Sequence, residues 1–170
     1  HNQIMDDHGL IEFLQQNRIA YLRVDHPAVF TVEQADIYTA DAPGTGTKNL
    51  FLCDEKKANY ILLMVQKHTD VDIRALGKVL GLRKLHFGSE EKLQEILGVS
   101  AGSVTVLGLI NDTHHKVTLY VDEQLWQDES LQCHPLVNTA TLTLPVRDLE
   151  KFFALTGHPV HVIQVPKKSD

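Results

Sequence analysis

Two short apolar runs, Asn49 to Cys53 and Tyr60 to Val65, flank the polar hexapeptide Asp54-Glu55-Lys56-Lys57-Ala58-Asn59. Short runs without polar alternation predict buried strands, and the polar spacer between them predicts a hairpin. Buried strands need covering elements, and the following sequence supplies them. Residues 70–80 carry Val71, Ile73, Ala75, Leu76, Val79 and Leu80 at helical spacing and stop at Gly81, which predicts a helix. Ser89-Glu90-Glu91-Lys92 opens a second helix bearing Leu93, Ile96 and Leu97 before Gly98. These two helices are expected to pair over one face of the sheet.

The remaining segments mix strands and helices without a regular strand–helix repeat. An α+β fold with an irregular, mostly antiparallel sheet is therefore expected rather than a doubly wound one. Asp7 is expected to cap a first helix through Leu10, Ile11, Phe13 and Leu14 to Asn17, and residues 19–24 to form a strand broken by His26-Pro27. Thr31-Val32-Glu33-Gln34-Ala35 reads as a short capped helix start, and residues 42–47 as a turn-rich loop leading straight to Lys48. Residues 104–110 and 117–121, separated by Thr113-His114-His115-Lys116, predict another hairpin. Residues 139–144 predict a strand, 147–155 a helix after Pro145 and before Gly157, and 160–165 a last strand. Lys167-Lys168-Ser169-Asp170 reads as a frayed tail.

At 170 residues and 43% hydrophobic, the chain can bury a full core, and one domain spanning residues 1–170 is expected. Because it opens on His, residues 1–5 read as an expression remnant with Met5 as the candidate native start. Cys53 and Cys133 sit in apolar, strand-like runs, where buried free thiols in a reducing cytoplasm are the expected state. No apolar stretch reaches the roughly 20 residues needed to span a bilayer. The 16 basic and 22 acidic side chains leave a formal charge of -6, which argues against indiscriminate binding along a nucleic-acid backbone. Lys48, Lys56, Lys57, Lys67, Lys78, Arg83 and Lys84 nevertheless concentrate in the first half, as a solvated face or a local basic rim.

Several constellations invite chemistry. Cys133-His134 has the residue types of a thiol nucleophile and its base, but neighbours in a strand point to opposite faces. Ser103, His134 and Asp112 could assemble a hydrolase triad, although Gly102-Ser103-Val104 lacks the Gly-x-Ser-x-Gly elbow. The pairs His114-His115 and His158/His161 lack a third ligand at zinc spacing, so no metal is expected, and no cofactor signature is present. Lys48, after a Gly/Thr-rich loop and before a buried strand, is placed either for solvent or for an anion at a pocket mouth. His134-Pro135 reads as a strand-ending turn with the imidazole bonded to a nearby carbonyl.

Three segments, Lys48-Asn49-Leu50-Phe51-Leu52, Gly102-Ser103-Val104-Thr105 and His134-Pro135-Leu136-Val137-Asn138-Thr139-Ala140-Thr141, resemble in order and spacing the YbaK/ProX group of aminoacyl-tRNA deacylases. The likeness begins at His26-Pro27-Ala28-Val29-Phe30-Thr31, includes Leu107-Gly108-Leu109-Ile110-Asn111-Asp112, and is strongest toward freestanding proteins similar to the editing domain of prolyl-tRNA synthetase. It implies that family's fold, a barrel-like sheet core flanked by helices. It implies hydrolysis of the ester in mischarged tRNA, with alanine on proline tRNA the expected substrate and cysteine the alternative cleared by sister members. A retained editing fold that docks tRNA or a synthetase without hydrolysis is the other alternative.

Carried over, Lys48 anchors the 3′-terminal phosphate, the amides of Gly102 and Ser103 line the ester site, and His134 borders the aminoacyl pocket. Phe30, Val32, Asn49, Val104, Leu107, Asn138 and Thr139 are the expected substrate contacts, and Lys56, Lys57, Arg83 and Lys84 the expected tRNA contacts. The implied partners are mischarged tRNA and prolyl-tRNA synthetase, and no membrane. In the family the vicinal ribose hydroxyl and a positioned water supply much of the chemistry, so no protein nucleophile is implied. Many relatives carry Pro after Gly-Ser-Val-Thr, where this chain has Val106.

Overall fold

The buried hairpin organises the molecule. In a computed structural model that describes residues 4–169, β2 (Thr45–Cys53) and β3 (Tyr60–Gln66) pair antiparallel, with Lys48 opposite Val65 and Asn49 opposite Met64. Their turn is organised by Asp54, whose Oδ1 accepts from the amides of Ala58 and Asn59 and whose Oδ2 accepts from Asn59 Nδ2. Leu50, Leu52, Ile61, Leu63 and Val65 enter one apolar cluster; Phe51, Cys53, Tyr60, Leu62 and Met64 enter the other. Period-two alternation thus loads both faces of the hairpin, which is why its two runs show no polar alternation.

Six further strands complete an eight-stranded sheet: β1 (Leu22–Asp25), β4 (His86–Phe87), β5 (Val117–Asp122), β6 (Ser130–Cys133), β7 (Ala140–Pro145) and β8 (Val160–Ile163). The order is β1-β7-β6-β2-β3-β5-β8, with β4 on β2, and antiparallel pairings outnumber parallel ones four to three. The expected α+β class with a mostly antiparallel sheet holds.

The helices are α1 (Asp7–Gln16), α2 (Val32–Thr39), α3 (Ile73–Leu80), α4 (Glu90–Lys92, running on into a π turn at Leu93–Leu97), α5 (Glu123–Trp126) and α6 (Val146–Thr156). Caps fix their ends: Asp6, not Asp7, caps α1 by accepting from Gly9, while Thr31, Asp72 and Ser89 cap α2, α3 and α4. Gly81 and Gly98 stop α3 and the π turn at φ 71° and 68°.

Three expectations are corrected. Helices α3 and α4 do not share a face: Leu76 packs in one cluster, whereas Leu93, Ile96 and Leu97 pack in the other. Residues 104–110 are not a strand, because Val106–Asn111 forms a buried 3₁₀ helix, and β5 pairs parallel with β3 and β8 instead of closing a hairpin. A continuous apolar run cannot by itself separate a buried strand from a buried helix. The C-terminal segment is tied down through Lys168: Lys167 bridges to Val71, and the amide of Lys168 donates to Asp70. Among the described residues no helix is long and apolar enough to cross a membrane.

Candidate functional site

A break in the sheet makes the site. Along the edge of β2 that faces away from β3, β6 pairs only with Thr45 and Gly46, and β4 only with Leu52 and Cys53. The intervening stretch, centred on Lys48 and Asn49, faces a cavity of about 200 Å³. The other walls are residues 29–32 with Ala35 and Thr39 of α2, the turn Ala101-Gly102 with Val104, and Gln132, Cys133, His134 and Thr141 from β6 and β7. Pockets for drug-sized ligands usually span about 300–1,000 Å³, so this one suits a small group.

The structure brings Lys48, Gly102, His134, Phe30, Val32, Asn49 and Val104 together around this cavity. Phe30 is 74% exposed and forms its mouth rather than an inner wall. Asn138 stands behind it, donating from Nδ2 to Val29 O at 2.9 Å and accepting from Val29 N at 3.3 Å, which ties the 26–31 segment to the site. A Cβ on Gly102 would lie 3.4 Å from Asn138 Nδ2 and 3.5 Å from Phe30 Cδ1, so Asn138 and Phe30 come up to ordinary contact distance around this glycine. Two expected contacts lie elsewhere. Leu107 is fully buried in the core because its segment is helical, and Thr139 is exposed, using its carbonyl to hold the His26 amide. Thr141, two positions on, lines the cavity instead.

The Gly102-Ser103 turn is also only partly as expected. The Ser103 amide donates to Ser100 O at 3.0 Å, which removes it as a donor to substrate. The Gly102 amide precedes the first bonded position of the 3₁₀ turn Ala101–Ser103 and has no acceptor within it.

His134 Nδ1 donates to Ala140 O at 3.2 Å, a carbonyl being able only to accept. Burial pushes its pKa below the ordinary imidazole value despite that bond, so the ring is neutral at pH 7, with an Nε2 lone pair free to accept. His26 is bonded in the same sense, Nδ1 to Pro27 O and Nε2 to Thr141 Oγ1, both at 2.9 Å, and it stacks on Tyr38 of α2.

No nucleophile is assembled. Burial pushes the Cys133 thiol up to about 12, against a lowering contribution from Thr47. Asp112 is hydrogen-bonded at 2.9 Å to His158 rather than to His134, and Ser103 Oγ faces Ser100 Oγ at 3.5 Å, so no Ser-His-Asp triad forms.

Sequence reasoning missed the pocket roles of Thr39, Gln132 and Lys67. The stem of Lys67 lies over Gly46, where a Cβ would overlap it, and its ammonium pairs with Asp36 of α2. Gln132 Nε2 donates to Pro43 O at 3.2 Å, closing the loop before β2. The only sequence signal for Lys67 was membership of the basic series.

The expected tRNA contacts Lys56, Lys57, Arg83 and Lys84 lie at the other end of the hairpin. Glu55 joins the two segments, 3.8 Å from Arg83 Nε and 3.3 Å from Lys84 Nζ, and its amide donates to Arg83 O. A groove beside them is lined by Arg74, Lys78 and the exposed Phe87.

These features define an α+β domain with a small pocket of mixed polar and apolar lining set in a sheet edge, and the same fold recurs in solved structures. One, described as a candidate trans-editing enzyme for prolyl tRNA synthetase, has a TM-score of 0.70 at 18% identity and covers 98% of this chain and 100% of that one. A hypothetical protein, APE2540, has a TM-score of 0.72 at 16% identity over 94% of this chain and 99% of its own. Residues 26–152 match the aminoacyl-tRNA editing domain family, and the chain belongs to that family. It is 31% identical to the prolyl-tRNA editing protein ProX of Acetoanaerobium sticklandii over 92% of this chain and 96% of that one. It is 36% identical to prolyl-tRNA synthetase associated domain-containing protein 1 of Danio rerio over 88% and 82% of the two chains.

Proposed function

We propose that the protein is a trans-acting editing hydrolase that cleaves the ester of mischarged tRNA, with alanine attached to proline tRNA as its substrate. The observation that carries this reading is a small pocket with a cation, an unengaged amide and a neutral imidazole, but no activated nucleophile. An ester that already carries a vicinal hydroxyl needs positioning and charge stabilisation more than covalent catalysis. Likeness to the ProX editing protein supports the tRNA class.

In this reading Lys48 binds the 3′-terminal phosphate and fixes the ester over the gap in β2. Water attacks the carbonyl carbon, the Gly102 amide takes the developing oxyanion, and the bond to the ribose oxygen breaks as that oxygen gains a proton. The free amino acid leaves from tRNA whose terminal hydroxyls are restored. Losing one oxyanion donor commonly costs about 3 to 4 kcal/mol of barrier lowering. Selectivity follows from size, since a second site can hydrolyse what is small enough to enter. Prolyl-tRNA synthetase is the partner whose mischarged product would be cleared, and Lys56, Lys57, Arg83 and Lys84 are the groups offered to the acceptor stem.

The test is a deacylation time course on alanyl-, cysteinyl- and prolyl-tRNA, all with the proline anticodon. Loss of the alanyl ester alone is the expected result. Selective loss of the cysteinyl ester would move the protein to the sister activity, and no loss above the uncatalysed rate would make it a binding module.

A further inference from the structure

Among the described residues that line this cavity, Asn49 alone has a buried side-chain oxygen, Oδ1, with no hydrogen-bond partner. An unpaired buried acceptor is costly, and at the wall of an open cavity its donor comes from what fills the cavity, water in the empty site and a ligand in the filled one. Its backbone points the same way. Gly46 O accepts from Lys67 N on the β3 side of the strand, whereas Phe51 O accepts from Gly88 N on the opposite side. The carbonyl and amide of Asn49 share the parity of Phe51, so both face the gap between β6 and β4, away from β3. By the same alternation the Asn49 side chain lies on the face of Phe51 and Cys53, opposite to that of Lys48. Lys48 therefore does not supply the missing donor. His134 Nε2 offers a further lone pair to the same cavity.

Asn49 Oδ1, the Asn49 carbonyl and His134 Nε2 bring three acceptors to one cavity, and together they suit a group with several N–H donors. In an aminoacyl-adenosine ester the carbonyl only accepts and each ribose hydroxyl donates once, while the adenine amino group, which donates twice, is common to every charged tRNA and to both probes below. The α-amino group donates two or three times, whether protonated or not, and can satisfy two acceptors together.

Resting on the deacylase reading, we propose that Asn49 receives the α-amino group of the bound ester and restricts the site to amino acids whose amine is present and free. It acts beside the Lys48 phosphate anchor and on the other side of the strand.

Two non-hydrolysable probes differ in the amine alone: 3′-deoxy-3′-(alanylamino)adenosine and its propionylamino counterpart. Binding of each is measured by NMR titration, following the backbone amides of residue 49 and Gly102, which wild type and variants share. A site built to hydrogen-bond an N–H should prefer the alanyl probe by roughly 10- to 100-fold. Asn49→Asp, which keeps an acceptor, should retain the preference, and Asn49→Leu should lose it. Equal affinities for the two probes, or no binding of either, would overturn the proposal. Hydrolysis of alanyl-tRNA by the same preparation tests the deacylase reading separately. A preference for the alanyl probe without hydrolysis leaves the amine site standing and removes the enzyme, while hydrolysis with equal affinities does the reverse.

Discussion

The role proposed for Lys48 rests on its surroundings. The residue is half-buried on β2 where the strand loses its neighbour, and no ion pair is formed with it among the described residues. Lys67, also at the pocket wall, is instead committed to Asp36. A positioning cation should therefore be replaceable for folding but not for turnover. Lys48→Ala is expected to abolish deacylation, seen in single-turnover kinetics, because orientation can supply several kcal/mol of the barrier reduction. Stability by urea denaturation should stay within about 0.5 kcal/mol of wild type, as for other substitutions away from the packed core. Retained turnover would move the anchoring role elsewhere; a large loss of stability would make Lys48 structural.

At the scale of elements, the pair Asp112–His158 joins the turn before β5 to the end of α6, and both side chains are 2% exposed. Burial alone would raise the Asp112 pKa, but the bonds from His158 and the amides of Lys116 and Val117 outweigh it and hold the carboxyl below its usual value. A carboxylate pKa that is lower in the folded state contributes stability above the unfolded value of about 3.9, and that contribution is lost as pH falls through the folded value. Urea midpoints should therefore fall as pH drops below about 4, and Asp112→Asn should flatten part of that acid limb. At pH 7, His158→Ala is expected to cost about 2 to 3 kcal/mol, because it removes one of the three donors that satisfy a buried carboxylate. Activity per folded molecule should be unchanged, and an unchanged midpoint would show that the pair is not a clamp.

The same scale shows what the sequence could reveal. Strands β2 and β3 were legible because burial on both faces erases polar alternation, and the helix ends because Thr31, Ser89, Gly81 and Gly98 are residues that caps require. The 3₁₀ helix at Val106–Asn111 was not, since the packing of Gly108 against Leu97, where a Cβ would sit 3.1 Å from the leucine, is a tertiary fact with no local signature. Lys48, Gly102 and His134 were found through family order. Their meeting at one cavity depends on where β6 stops pairing with β2, and register between distant segments is not written in either one. Leu107 was misplaced with its helix, and Lys67 was hidden because a lysine's reach to Asp36 leaves no pattern.

The whole molecule carries a formal charge of -6 and yet concentrates Lys56, Lys57, Arg74, Lys78, Arg83 and Lys84 around one end of the β2–β3 hairpin. From Lys48 to Cys53 the strand advances about 17 Å at roughly 3.3 Å per residue, so the pocket and the basic end are separate stations on one element. An acidic body with a basic end disfavours random contact with nucleic acid while leaving one place to receive a backbone. Under the proposed function, that division would separate chemistry from recognition. Replacing Arg83 and Lys84 together by alanine should raise KM for full-length alanyl-tRNA and leave hydrolysis of alanyl-adenosine unchanged, because the small ester does not reach the basic end. The slope of log affinity for tRNA against log salt should shrink by about 1 for each phosphate that is no longer neutralised. Both charges are shared with Glu55, so Glu55→Gln should strengthen tRNA binding at low salt and lose that advantage as screening increases. Equal KM and an unchanged salt slope in the double variant would place the acceptor stem on another surface.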